Sequence, residues 1–119
     1  NVLCELWKQG HNTNSYRQAG VLQMKIWVDD VRPQPDAGWM RAYSSKGAIA
    51  LLEKASHPLW YLIPHTEIAL DHDLGGDDTS RPVVLWMIEN NFRFEKYTIL
   101  TANPVGYEWL EGMIERYLK

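Results

Sequence analysis

The sequence predicts a single α/β domain on a mainly parallel sheet of about four strands, and three observations predict it. Short β-prone runs alternate with longer segments whose apolar residues recur at helical spacing, the order that builds β–α–β crossovers. Two of the runs stop abruptly at acids: Ile26-Trp27-Val28 at Asp29-Asp30, and Ile68-Ala69-Leu70 at Asp71-His72-Asp73. Such continuous apolar runs suit strands buried on both faces. Finally, neither an internal repeat nor a linker divides residues 24–119.

Met24 to Val28 forms the first strand, closed by its acidic pair. Val31 to Gly38 contains two prolines and a terminal glycine, so it is a loop rather than a helix. Trp39 to Tyr43 reads as the second strand. Ser44 or Ser45 then caps a helix bearing Ala48, Ile49, Leu51, Leu52 and Ala55, which ends at His57-Pro58. Leu59 to Ile63 fits a packed connection, a helical turn or an extra edge strand, which would bring the sheet to five. Glu67 to Leu70 is the next strand. Asp77, Asp78 and Thr79 suit a polar turn, and Ser80 is placed to cap a helix with Pro82 in its first turn. That helix turns Val83, Val84, Met87 and Ile88 inward and ends at Asn90-Asn91. Tyr97 to Thr101 is the last strand. Asn103 caps a final helix that starts at Pro104 and carries the stripe Leu110, Met113, Ile114, Tyr117 and Leu118. Residues 1–23 are polar and aperiodic from Gln9 to Gln18. They read as an N-terminal extension that adds little to the core, with Val2 to Trp7 fit for a short docking helix.

Composition narrows the function. The chain has 119 residues, 45% of them apolar, enough for one core. A net charge of −3 disfavours duplex nucleic acid and anionic membranes as partners, yet leaves room for a small phosphorylated ligand at a local site. Cys4 is the only cysteine, which excludes an internal disulfide and fits a cytoplasmic setting. No apolar run approaches the ~20 residues that span a bilayer, and the first ten residues lack the apolar core of a signal peptide. Nothing in the sequence indicates an oligomeric state.

In a parallel sheet the carboxyl ends of the strands share one edge, where ligands bind. Asp29 and Asp30 arrive there from one strand, Asp71, His72 and Asp73 from another, and Thr101 and Asn103 from a third. Asp29, Asp30, Asp71 and Asp73 are hard oxygen ligands suited to Mg²⁺ or Mn²⁺, ahead of zinc, since no thiolate and only one imidazole lie near. Arg32 suits two roles, a phosphate clamp or an ion-pair partner of these acids. His72 is either a general acid or base or a buried, hydrogen-bonded imidazole, because strand alternation turns it away from Asp71 and Asp73.

These residues resemble a family. Asp29-Asp30, Asp71 and Ile99-Leu100-Thr101-Ala102 look like the signatures of response-regulator receiver domains, whose acids hold Mg²⁺ and whose central Asp takes a phosphoryl group. Closer still are cyclic-phosphate processing receiver domains. Their hallmarks resemble Asp29-Asp30-Val31-Arg32-Pro33, Leu70-Asp71-His72-Asp73-Leu74-Gly75 and Thr101-Ala102-Asn103-Pro104-Val105-Gly106. The resemblance spans Met24 to Lys119. It implies a three-layer, flavodoxin-like sandwich, reduced here because Val31–Gly38 leaves no room for a receiver's first helix and no fifth strand with its lysine follows Tyr117. It also implies a metal-dependent phosphoesterase opening cyclic phosphates of nucleotides or RNA ends. Arg32, Thr101 and Asn103 would hold the substrate, with Arg32, His72, Asp73 and Thr101 in the chemistry. The family's usual His-Ser pair before Ala-Asn-Pro is here Leu100-Thr101. The alternatives are a non-catalytic binding module and a phosphoacceptor using Asp71.

Overall fold

The computed structural model describes residues 23–55 and 65–118. Its elements follow the expected order: β1 (Gln23–Val28), β2 (Trp39–Ala42), α1 (Ser45–Ala55), β3 (His65–Leu70), α2 (Arg81–Glu89), β4 (Lys96–Ile99) and α3 (Pro104–Tyr117). All four strands are parallel, in the order β2-β1-β3-β4. β1 lies against β3 with Val28 opposite Leu70, so the acids that follow the two strands emerge side by side. The chain reverses its direction of travel between β1 and β3, the place where open α/β sheets form a crevice.

Alternation along the strands sorts residues onto two faces. Met24, Ile26 and Val28 of β1, Met40 and Ala42 of β2, and Ile68 and Leu70 of β3 form one core with Leu52 of α1, Val84 and Met87 of α2, and Leu110 and Ile114 of α3. All three described helices therefore cover the same face. Right-handed crossovers account for α1 and α2. The steps from β2 to β3 and from β3 to β4 run the same way along the sheet, which puts their helices on one side. Only the β1–β2 step runs the other way, and its prolines leave it no helix. The expected three-layer sandwich is thus, among the described residues, a sheet with helices on one face. Trp27, Trp39 and Ala69 form a second buried cluster on the opposite face, with Leu100 packed against it.

Several local expectations are corrected. β4 stops at Ile99 rather than Thr101, although the Leu100 N–H still donates to the Leu70 carbonyl at 2.8 Å. Ser80 precedes α2 but does not cap it. Its φ of −83° and ψ of 2° are not the extended geometry that a capping hydroxyl needs, and Thr79 Oγ1 accepts the Arg81 N–H instead. The Ser80 hydroxyl is buried without a partner. α1 is capped by Ser44, whose Oγ accepts the Gly47 N–H. Ser45 donates its N–H and its hydroxyl to Asp78, which ties the turn after β3 to the start of α1. Tyr117, expected in the apolar stripe of α3, is exposed on its last turn. The segments around Val2–Trp7, His57-Pro58 and Leu59–Ile63 lie outside the described residues. Among those described, no helix is long and apolar enough to cross a membrane.

Candidate functional site

β1 delivers Asp29 fully buried at the sheet edge. Its Oδ1 accepts the N–H groups of Val31 and Arg32, both at 2.8 Å, an Asx-type turn that bends the chain as it leaves the strand. Oδ2 accepts from Arg32 Nη1 at 3.1 Å. The Asp29 carbonyl takes two further bonds from the Arg41 guanidinium on β2, at 3.0 and 3.2 Å. Asp71 leaves β3 beside it, its N–H donating to the Val28 carbonyl at 2.8 Å and its Oδ2 lying 3.5 Å from Arg32 Nη1.

Asp29, Asp30 and Asp71 each offer a carboxylate oxygen within 4.8 Å of the others. Among the described residues no hydrogen bond or ion pair engages the Asp30 carboxylate. The turn after β3 closes against it. Gly75 has a φ of +90°, and a Cβ there would lie 3.1 Å from Asp30 Oδ2, so glycine serves both the backbone and the space.

Asp71 carries the electrostatic cost of this crowding. Burial raises its pKa above the ordinary aspartate range and the Asp29 charge raises it further, against hydrogen bonding from Thr101 and the field of Arg32. The folded protein therefore holds the Asp71 proton to a higher pH than the unfolded chain. It loses stability as the pH climbs from the ordinary range through the raised value, and that loss persists at neutral pH. Asp71→Asn removes the charge and keeps the shape. In metal-free buffer it is expected to melt above the parent at pH 7, with the gap narrowing as the pH falls through the ordinary aspartate range. Melting curves across that range check this.

Asp73, expected with the other three, is held apart from them. Its Oδ1 meets His72 Nδ1 at 3.0 Å and its Oδ2 accepts from Asn103 Nδ2 at 3.2 Å. Those two hydrogen bonds, His72 first, hold its carboxyl below the usual range. His72 is buried, and its Nε2 accepts from Arg81 Nε at 2.9 Å. Thr101 reaches Asp71, and its Oγ1 accepts the Asn103 N–H at 3.1 Å. Asn103 Oδ1 in turn accepts the N–H groups of Val105 and Gly106, capping α3. The edge thus divides into a carboxylate group under Arg32 and a polar chain from Arg81 to Asn103.

Arg41, Gly75, Arg81 and Gly106 were not singled out from the sequence. Only Gly75 and Gly106 carried a local signal, each standing inside a motif; the two arginines act on residues outside their own elements, Arg41 on Asp29 and Arg81 on His72.

Three carboxylates suit a hard divalent cation such as Mg²⁺ or Mn²⁺. Asp30, without a partner among the described residues, and Asp71, with its raised pKa, are left poorly compensated, so the donor set fits such an ion. Comparison with known families finds a match, over residues 24–116, to the model described as the cyclic-phosphate processing receiver domain. No curated protein and no solved structure matches the chain.

Proposed function

Because the chain belongs to the cyclic-phosphate processing receiver domain family, we propose that it is a phosphoesterase that opens a cyclic phosphate of a nucleotide or RNA end. The observation that carries this reading is the Asp29, Asp30 and Asp71 group beneath Arg32. These three acids would hold Mg²⁺ or Mn²⁺. The cation would supply Lewis-acid polarisation of a phosphoryl oxygen.

Arg32 is 46% exposed and engages the two acids through Nη1, which leaves its other N–H groups for phosphoryl oxygens. Thr101 sets the orientation of Asp71, and Asn103 completes the substrate side of the edge. Asp73 is 59% exposed and is kept ionised by its hydrogen bonds, so it is the group that takes the proton of the attacking water. Water oxygen bonds to phosphorus, one ester P–O bond breaks, and the proton passes to the departing ribose oxygen.

One observation favours a second reading, a binding module without turnover. Leu100 stands where the resemblance expects an imidazole, and it packs against Trp27, Trp39 and Ala69. The two readings separate in a screen of 2′,3′- and 3′,5′-cyclic nucleotides with Mg²⁺ and Mn²⁺, followed by ³¹P NMR. Conversion to a phosphomonoester, lost in Asp30→Asn, is expected. Binding of metal and nucleotide with no product from any of them would leave the binding module.

A further inference from the structure

The chain of contacts behind Asp73 has a fixed polarity. A guanidinium keeps its protons, so Arg81 Nε can only donate to His72 Nε2, which must accept with a lone pair. The imidazole proton then sits on Nδ1 and is donated to Asp73 Oδ1 at 3.0 Å. His72 is therefore a neutral ring with both nitrogens engaged.

The surroundings leave that ring little freedom. A Cβ on Gly106 would lie only 2.4 Å from His72 Cγ, so the backbone of α3 rests directly on the imidazole. Arg81 is anchored as well, its guanidinium carbon 4.8 Å from the centre of the Trp109 ring on α3. The far end of the chain returns to the same helix, since Asp73 Oδ2 takes its bond from the Asn103 cap. The start of α2, the loop after β3 and the start of α3 thus close one polar circuit around a single exposed carboxylate.

We propose that Arg81 is a positioning residue: by donating to Nε2 it holds the His72 ring, whose Nδ1–H orients the Asp73 carboxylate at the site. Arg81 touches no reacting atom. His72 is a rigid spacer rather than the acid or base. The tautomer part of the inference stands on hydrogen-bond geometry alone, while its consequence for turnover rests on the phosphoesterase reading.

The test is ¹⁵N NMR of the full chain labelled at histidine, at a pH where the ring is neutral, because long-range ¹H–¹⁵N couplings distinguish the two tautomers. The parent is expected to show His72 as Nδ1–H. Arg81→Met, which keeps an unbranched stem against Trp109 and loses the donor, is expected to move the His72 Nε2 resonance while Nδ1 stays protonated against Asp73, and Arg81→Lys to restore the original signal in part. With a cyclic-nucleotide substrate, Arg81→Met should lower kcat by roughly 10- to 100-fold with KM little changed. A parent in the Nε2–H form overturns the inference before any variant is made. So does an unmoved Nε2 resonance in Arg81→Met, or a moved one with unchanged kcat. The tautomer measurement needs no substrate, so its failure is distinct from failure of the phosphoesterase reading.

Discussion

Adding millimolar Mg²⁺ or Mn²⁺ to metal-free protein is expected to raise its melting temperature by roughly 10 °C. Three carboxylates within 4.8 Å of one another repel, and among the described residues only Arg32 stands against two of them. An ion that binds the native site and not the unfolded chain stabilises by about 2.7 kcal/mol at a hundredfold excess over its dissociation constant. For a domain of this size that is about 4 °C per kcal/mol. Asp30→Asn should lose most of the shift at little other cost, because nothing else among the described residues engages its carboxylate. Asp71→Asn should also lose it, whereas Asp77→Asn, outside the group, should keep it. Superimposable melting curves with and without metal would mean that Arg32 alone is the countercharge, and would remove the cation from the proposal.

Gly106→Ala should destabilise the protein by about 1–3 kcal/mol, the usual range for overpacking. Propensity argues the opposite, since Ala favours a helix over Gly by about 1 kcal/mol. Sterics win because the new methyl would meet His72 Cγ at 2.4 Å and Cβ at 2.8 Å, atoms near the backbone that cannot swing aside. Gly112 on the same helix is the internal control. A Cβ there meets nothing within 4 Å, so Gly112→Ala should gain stability of about 0.5–1 kcal/mol. Denaturant unfolding measures both. A Gly106→Ala protein as stable as the parent would show that the imidazole can retreat, and would weaken the rigid-spacer role given to it.

What could be read from the sequence was whatever is written locally. Apolar runs ending in acids revealed both the strands and the edge at which Asp29, Asp30 and Asp71 meet, and Asn103-Pro104 announced the start of α3. The family motifs pointed the same way, and residues 24–116 match the family. What stayed hidden depends on tertiary partners. Ser80 has the composition of a cap but not the backbone angles, which are set by its N–H bond to the His72 carbonyl. Asp73 shares a motif with Asp71, yet His72 and Asn103 draw it out of the carboxylate group. Arg81 looks like an ordinary first-turn residue until α3 brings Trp109 beneath it. The helices' shared face required strand order as well as element order.

The indole of Trp27 donates its Nε1–H to the Arg32 carbonyl at 3.0 Å and stands edge-on to Trp39, with ring centres 5.2 Å apart. Two indoles so close and nearly perpendicular couple their excited states, and one of them is tethered to the loop that would grip a phosphate. The chain therefore carries its own optical gauge. If a ligand gripped by Arg32 shifts that loop, near-ultraviolet circular dichroism is expected to register the event without a label, and Trp27→Phe to silence that signal.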